Sequence, residues 1–165
     1  MRCEIRSRSS VVPELPRASR RLFESVAFDA EIRVFPEGTK TAQDAADAIG
    51  CPVSAIVKSL VFVVDDEPVV ALVPGDLRLD TSRLAGVAGG EQARRASLDE
   101  VRDSTGYAAG GTPPFGHTRS LRVFADPSLK RNDPVWAAAG TPTTVFPISI
   151  SDLDRLASPV WVTVT

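Results

Sequence analysis

The chain has 165 residues, of which 43% are hydrophobic and 24% are charged, and its formal net charge is −2. This length and balance predict one globular domain with a sizeable core, and the lack of a basic excess argues against a dedicated nucleic-acid-binding protein. Two cysteines and one histidine argue against a disulfide framework and against a closed zinc site. No loop has the spacing of a calcium site, and the sequence leaves a metal bound by carboxylates as an open alternative.

The first 14 residues are polar and rich in arginine, and they predict a disordered extension ahead of a single domain over residues 15–165. This stretch lacks the apolar segment of a secretory signal. No apolar run in the chain approaches the ~20 residues that span a bilayer. We therefore expect a cytoplasmic protein that does not bind membranes.

The first predicted elements are a helix over residues 17–28, from its helical spacing of apolar residues, and a short strand over residues 31–35. Thr41 is predicted to start a second helix, because Asp44 follows three residues on as in a capping box, and Gly50 stands where a terminating glycine belongs. The apolar stripe of this helix indicates close packing on a sheet and consists of Ala42, Ala45, Ala46 and Ile49.

A core hairpin is predicted where two β-rich apolar runs, at residues 57–64 and 69–73, flank Asp65-Asp66-Glu67-Pro68. Helices are expected at residues 81–87 and 98–103, the second with the capping-box pair Ser97 and Glu100. Further strands are predicted at residues 121–125, 135–138, 144–147 and 160–164, and a last helix at 152–157 capped by Ser151. The excess of strands, several joined by short turns, favours a mixed or antiparallel sheet with helices packed around it.

Lys58 is unusual because it lies within an apolar run. Even positions place it on one strand face with Leu60, Phe62 and Val64, whereas Ser59 lies on the other face with three valines. Both faces are apolar, which predicts a strand buried on both sides. A lysine there needs an anionic partner, a lowered pKa or a short path to water. The simpler alternative is a strand-end lysine that reaches solvent.

The loop from Gly110 to Gly116 is the second unusual feature. Gly110 and Gly111 allow a ligand to approach the main chain, and Pro113 and Pro114 stiffen the segment. Such a loop exposes N–H and C=O groups that could bind a ribose, a phosphate or an oxyanion. It matches neither a Walker loop nor a dinucleotide fingerprint. A tight connector remains the alternative interpretation.

The remaining candidate residues give weaker signals. A triad of Ser59 or Ser120 with His117 and Asp126 can be drawn, but no nucleophile elbow supports it. His117, the only histidine, is interpreted as a loop residue at the rim of the site that could contact substrate. Local basic pairs such as Arg94-Arg95 could contact phosphate, although solvated surface arginines are the commoner explanation.

Five segments in order, from about Arg17 to the C-terminus, resemble the YbaK/ProX-type aminoacyl-tRNA deacylases, the family that includes the editing domain of bacterial prolyl-tRNA synthetases. The resemblance is carried by the helix that begins at Thr41, the strand Ala55-Ile56-Val57-Lys58-Ser59-Leu60-Val61-Phe62, Val73-Pro74-Gly75-Asp76 with Leu79-Asp80, Thr105-Gly106-Tyr107 with Gly110-Gly111, Pro114 and Gly116, and Asp126 with Leu129 and residues 135–140.

The resemblance implies an α+β fold with a mixed, barrel-like sheet and flanking helices, and hydrolysis in trans of the ester of mischarged aminoacyl-tRNA. It implies that Lys58 holds the terminal ribose or phosphate, and that the backbones of Gly110 and Gly111 position the ester and the attacking water. No side-chain nucleophile, metal or cofactor is expected, and the substrate's own ribose hydroxyl assists. The expected substrate-binding residues are Ser59, Pro114, Gly116 and His117.

Two departures from the family pattern bear on specificity. Ser59 stands where threonine commonly follows the lysine, and residues 143–147 lack the aspartate that some members carry after the glycine. The expected partners are the acceptor end of an aminoacyl-tRNA and an aminoacyl-tRNA synthetase, with no DNA. The alternatives are a non-catalytic module that binds tRNA or a synthetase without turnover, and hydrolysis of another small ester.

Overall fold

The computed structural model describes residues 15–35 and 38–165, so the predicted extension over residues 1–14 lies outside the described residues. The described chain contains five α-helices and eight strands, together with short 3-10 segments at Val53–Ala55 and Pro127–Arg131. In chain order they are α1 (Arg17–Val26), β1 (Arg33–Val34), α2 (Ala42–Ile49), β2 (Val57–Val64), β3 (Glu67–Pro74), α3 (Thr81–Val87), β4 (Ala93–Arg95), α4 (Leu98–Thr105), β5 (Arg122–Ala125), β6 (Val135–Ala138), β7 (Thr144–Ile148), α5 (Ile150–Ala157) and β8 (Val160–Trp161).

The strands form two separate sheets. The larger has the order β4-β2-β3-β5-β8 and the smaller the order β1-β7-β6. β3 pairs antiparallel with β2 and parallel with β5, which confirms the predicted mixed sheet. The barrel-like expectation is wrong, because a barrel needs every strand paired on both sides. Here β4 and β8 remain edges of one sheet, and β1 and β6 remain edges of the other.

The hairpin of β2 and β3 is confirmed, with a tighter turn than the sequence suggested. Asp65 and Asp66 both adopt positive φ, 47° and 75°, as a two-residue hairpin turn of the primed type requires. β3 therefore begins at Glu67. The Asp65 carboxylate accepts hydrogen bonds from the backbone N–H groups of Glu91 and Gln92, which ties the turn to the segment before β4.

Both faces of the large sheet are buried, as the uninterrupted apolar runs of β2 and β3 predict. On one face, Val61 and Leu72 belong to a core cluster shared with α1, α4, α5 and the small sheet. On the other face, Phe62 and Val73 pack with Leu84 of α3 and with Val164 near the C-terminus. A smaller third cluster joins α2 to the start of β2 and to β6.

Helix ends follow the capping chemistry closely. Thr41 caps α2 by accepting from the N–H of Asp44, and Ser97 and Glu100 form the predicted capping box of α4. α5 begins earlier than predicted, because Ser149, and not Ser151, accepts from the N–H of Asp152. No helix in the described part of the chain combines the length and apolarity needed to cross a bilayer.

Asp126, at the end of β5, anchors the C-terminal segment. One carboxylate oxygen accepts from the N–H groups of Val164 and Thr165, at 2.9 and 3.1 Å, and from the Thr165 hydroxyl at 2.9 Å. The other accepts from the N–H and hydroxyl of Ser128. Burial by itself would raise the pKa of Asp126, but these hydrogen bonds outweigh it and hold the pKa below its usual value.

We predict that Asp126→Asn destabilises the fold by about 3 kcal/mol at neutral pH, because the charged acceptor of several hydrogen bonds is lost. Urea unfolding measures this, with Asp103→Asn at an exposed position of α4 as the control. Because the folded pKa is depressed, the contribution of Asp126 is present above the unfolded pKa of about 3.9 and is lost as pH falls through the folded value. Equal stability of the two variants would contradict the anchoring role.

Candidate functional site

β2 lacks a neighbouring strand along one side of its first half. β4 pairs only with Phe62, Val63 and Val64, and the last backbone bond there runs from the Ala96 N–H to the Val61 carbonyl, at 3.1 Å. At the other end, a parallel backbone bridge joins Ile56, just before β2, to Trp136 of β6. Between them, no strand in the described ranges pairs with residues 57–60 on this side.

The gap leaves main-chain groups of β2 available. Backbone N–H and C=O groups of residues two apart in a strand point to the same side. Because the Val61 carbonyl points towards β4, the N–H and C=O of Ser59 point into the gap. The edge of β2 therefore offers a donor and an acceptor to a bound molecule.

A cleft with a volume of about 300 Å³ opens along this edge. Its polar lining includes Thr39, Lys40, Thr41, Lys58, Ser59, Arg95, Gly110 and Thr112. Its apolar lining consists mostly of small or β-branched residues, with Leu60 and Trp136 as the larger members; the others are Ala42, Ala45, Ile56, Val57, Ala137, Ala138 and Val145. A concave, largely apolar surface with a few polar groups is typical of a small-ligand site.

Lys58 is half-buried in this cleft. Its Nζ donates a hydrogen bond to the Leu77 carbonyl oxygen, at 2.7 Å. Burial lowers the pKa of Lys58, nearby Arg78 and Arg95 lower it further, and Asp76 opposes them. Of the possibilities that the sequence left for a buried lysine, the structure supports a lowered pKa, and the hydrogen-bond partner is a carbonyl and not an anion. An ammonium group has three hydrogens, so two remain for a ligand.

Lys40, Lys58 and Arg95 form a cationic rim on the cleft. None of the three makes an ion pair within residues 15–35 and 38–165. Arg95 instead lies over the Phe62 ring, with its guanidinium carbon 5.6 Å from the ring centroid. Asp76 is the carboxylate that raises the pKa of Lys58, and it accepts two hydrogen bonds from Arg131. The rim therefore carries uncompensated positive charge and suits an anionic ligand.

Ser59 borders the cleft from the strand face opposite Lys58. Its Oγ is buried and has no hydrogen-bond partner among the described residues. Buried polar groups in proteins are almost always paired. The Ser59 Oγ is thus the one buried side-chain oxygen or nitrogen among the described residues that is left without a protein partner.

Gly110 and Gly111 have different roles in the loop. Gly110 is exposed, adopts a φ of 88° and borders the cleft. Gly111 is buried against the turn between β6 and β7, where an added Cβ would lie 2.5 Å from the Thr141 Cα. The Thr141 hydroxyl lies 2.8 Å from the Thr144 hydroxyl, which fixes the surface beneath Gly111. The close approach of two backbones there presents Gly110 to the cleft.

The other predicted site residues belong to the loop or directly follow it, and they lie outside the cleft lining. Pro114 is buried, and Gly116 approaches Leu22 of α1, whose Cδ1 would lie 2.6 Å from an added Cβ. His117 Nε2 lies 2.8 Å from the Pro113 carbonyl oxygen. Burial lowers the pKa of His117, partly offset by this hydrogen bond. The structure thus brings together Lys58, Ser59 and Gly110.

The Ser-His-Asp triad is not formed. His117 binds the Pro113 carbonyl oxygen, whereas Asp126 binds the C-terminal segment and Ser128. No group of three or more His, Cys, Asp or Glu side chains in the described ranges is placed to share a metal ion.

Sequence reasoning did not place Lys40 or Arg95 in the site. The pair Arg94-Arg95 is visible in the sequence, but the three-residue strand β4 was not predicted. Strand alternation turns Arg95 to the Lys58 face of β2 and turns Arg94 away, where Arg94 forms a two-bond ion pair with Glu100. Placement in a short edge strand decides which arginine reaches the cleft.

Comparison with known proteins gives a consistent assignment. The aminoacyl-tRNA editing domain family matches residues 36–156. The uncharacterized protein YwhH of Bacillus subtilis is 32% identical over 136 residues, covering 81% of this chain and 86% of YwhH. The proline–tRNA ligase of Nitratidesulfovibrio vulgaris (strain Hildenborough) is 37% identical over 99 residues, which are 60% of this chain and only 17% of the ligase.

A solved structure of similar fold is that of a candidate trans-editing enzyme for prolyl tRNA synthetase. It superposes with a TM-score of 0.86 at 36% sequence identity. The alignment covers 92% of this chain and 99% of the other.

We predict that Gly111→Ala destabilises the protein by about 2 kcal/mol, because the added methyl group overlaps the Thr141 backbone. Thermal or urea unfolding measures the loss. The matched control is Gly86→Ala in α3, where an added Cβ meets no atom within 4 Å and alanine stabilises a helix by up to about 1 kcal/mol. Wild-type stability of Gly111→Ala would contradict the close approach.

Proposed function

Because this chain belongs to the aminoacyl-tRNA editing domain family, we propose that it hydrolyses, in trans, the ester bond of mischarged aminoacyl-tRNA, releasing the amino acid and free tRNA. A role in tRNA editing follows from the family. The observation that carries the hydrolytic proposal is the position of Lys58, half-buried in a cleft that Gly110 also borders.

The cationic rim is the proposed binding site for the nucleic-acid end. The 3′ end of a tRNA carries phosphates and a terminal ribose, and cations that form no ion pair within the protein attract phosphate. Lys40, Lys58 and Arg95 supply three such cations within one cleft. The formal net charge of −2 for the whole chain fits brief, local contact with the acceptor end rather than tight binding of the whole tRNA.

Lys58 is proposed to be an anchor and not a general base. Its Nζ already donates to the Leu77 carbonyl oxygen, and a donating ammonium group has no free electron pair to accept a proton. The hydrogen bond instead fixes the direction of the side chain. A charged donor fixed in a half-buried position orients a ribose or phosphate oxygen without reorganisation during the reaction.

Gly110 is proposed to position the reacting ester through its backbone. Its positive φ and the absence of a side chain let the ester approach the main chain closely. In the reaction, the oxygen of a water molecule bonds to the ester carbonyl carbon, the bond from that carbon to the ribose oxygen breaks, and the ribose oxygen takes up a proton. An aminoacyl ester is already reactive, so orientation and exclusion of bulk water supply much of the acceleration.

The relatives also suggest the partner of the reaction. The matched region recurs within proline–tRNA ligases, and the structural relative is a candidate trans-editing enzyme for prolyl tRNA synthetase. We therefore propose tRNA specific for proline, charged with a wrong amino acid, as the substrate. Expected partners are its acceptor end and the corresponding synthetase.

The first prediction for this function is that wild type deacylates at least one member of a panel of mischarged tRNAs, and that Lys58→Ala lowers kcat/KM at least about 100-fold. The measurement is release of labelled amino acid. Lys130→Ala is the control, because Lys130 is exposed and stacks on Trp161 outside the cleft. The enzymatic proposal fails if micromolar wild type hydrolyses none of the panel.

A second prediction concerns Arg95. Arg95→Ala should raise KM about fivefold with a much smaller change in kcat, because a rim cation contributes to ground-state and transition-state binding alike. KM should also rise more weakly with added salt in the variant than in wild type, since one phosphate contact is missing.

Arg94→Ala, which breaks the ion pair with Glu100 outside the cleft, is the control. An unchanged KM and an unchanged salt dependence for Arg95→Ala would show that Arg95 does not contact the substrate.

A further inference from the structure

Ser59 lines the cleft and carries a buried hydroxyl without a hydrogen-bond partner. Its Oγ is buried and makes no hydrogen bond to any described residue, and an unpaired buried hydroxyl destabilises a fold. Two other hydroxyl groups that border the cleft already have hydrogen-bond partners. Thr112 donates to the Ala108 carbonyl oxygen, and Thr41 accepts from the Asp44 N–H. The Ser59 hydroxyl has almost no accessible surface, so it gains a partner from a ligand only when its side chain turns towards the cleft.

The position of Ser59 indicates which part of the substrate it meets. It lies on the face of β2 that carries Val57 and Val61 and that packs with Ala137 of β6. Lys58 and Arg95 lie on the opposite face, with Phe62. The phosphate and ribose therefore belong to one side of the strand, and the amino acid belongs to the other.

The surroundings of Ser59 favour the amino acid's side chain over its ammonium group. A charge placed beside a neutral buried hydroxyl and apolar walls would lose its hydration without an anionic partner. The gap-facing carbonyl of Ser59 is a better acceptor for the ammonium, because it lies at the open edge. A serine hydroxyl can donate and accept one hydrogen bond each, so it matches another small hydroxyl group well.

We propose that Ser59 is a specificity-determining residue, and that the amino acid removed most efficiently carries a short hydroxyl side chain, serine. This inference rests on the proposed deacylase function. A site that hydrogen-bonds a substrate hydroxyl discriminates against an analogue without it, because the site's own polar group is then left unpaired. Alanine, which lacks only the hydroxyl, is the matched competitor.

The test uses the full chain and one proline tRNA charged in turn with serine and with alanine. Wild type is expected to show a kcat/KM at least about tenfold higher for the seryl ester. In Ser59→Ala, the seryl-to-alanyl ratio should fall at least about tenfold. Ser120→Ala, an exposed serine outside the cleft lining, should keep the wild-type ratio. Thermal unfolding of Ser59→Ala should show unchanged or higher stability, since an unpaired hydroxyl is removed.

The experiment distinguishes failure of the serine specificity from failure of the deacylase function. If neither ester is hydrolysed by wild type, the deacylase proposal itself fails. If both esters are hydrolysed but wild type does not prefer serine, the specificity inference is overturned and the deacylase proposal stands. A folded Ser59→Ala that slows both esters equally also overturns it, because Ser59 would then contact a part of the substrate common to both.

Discussion

The missing strand partner along the first half of β2 is the constraint on which the site depends. β4 is too short to cover it, because the chain leaves the sheet after Ala96 and enters α4 through the Ser97 capping box. At the other end, β6 approaches only as far as the Ile56–Trp136 bridge. A fully paired β2 would have no cleft beside Lys58 and no free main-chain groups at Ser59. The same gap keeps the two sheets from closing into a barrel.

Local pairing of acids explains how a chain with a net negative charge carries a cationic rim. Asp76 is bound by Arg131, and Glu100 is bound by Arg94. The Arg94 hydrogen bonds, chiefly, lower the pKa of Glu100 to about 2, so it stays charged and committed to its partner. Arginines outside the cleft thus occupy these nearby carboxylates, and the rim cations are left for a ligand. Overall charge is a poor guide to a site of this size.

His117 and Asp126, which most resemble catalytic residues in the sequence, stabilise the fold instead. His117 closes the end of the glycine- and proline-rich loop back onto the Pro113 carbonyl oxygen, and Asp126 holds the C-terminal segment. What remains in the cleft is a fixed ammonium, an exposed glycine backbone and an unpaired hydroxyl. In the proposed function, such a set orients a reactive substrate, which agrees with a site that contains no triad.

Periodicity and capping in the sequence alone determined α2, α3, the β2–β3 hairpin and the two-sided burial of β2, because each depends on local spacing and on residues near in the chain. The order of motifs also identified the family and drew attention to Lys58, Ser59 and Gly110. Only the tertiary structure decided that the sheets stay open, that β4 carries Arg95 to the cleft, and that Gly111 and His117 lie outside the cleft lining. Those facts depend on contacts between residues distant in sequence, which local spacing does not encode.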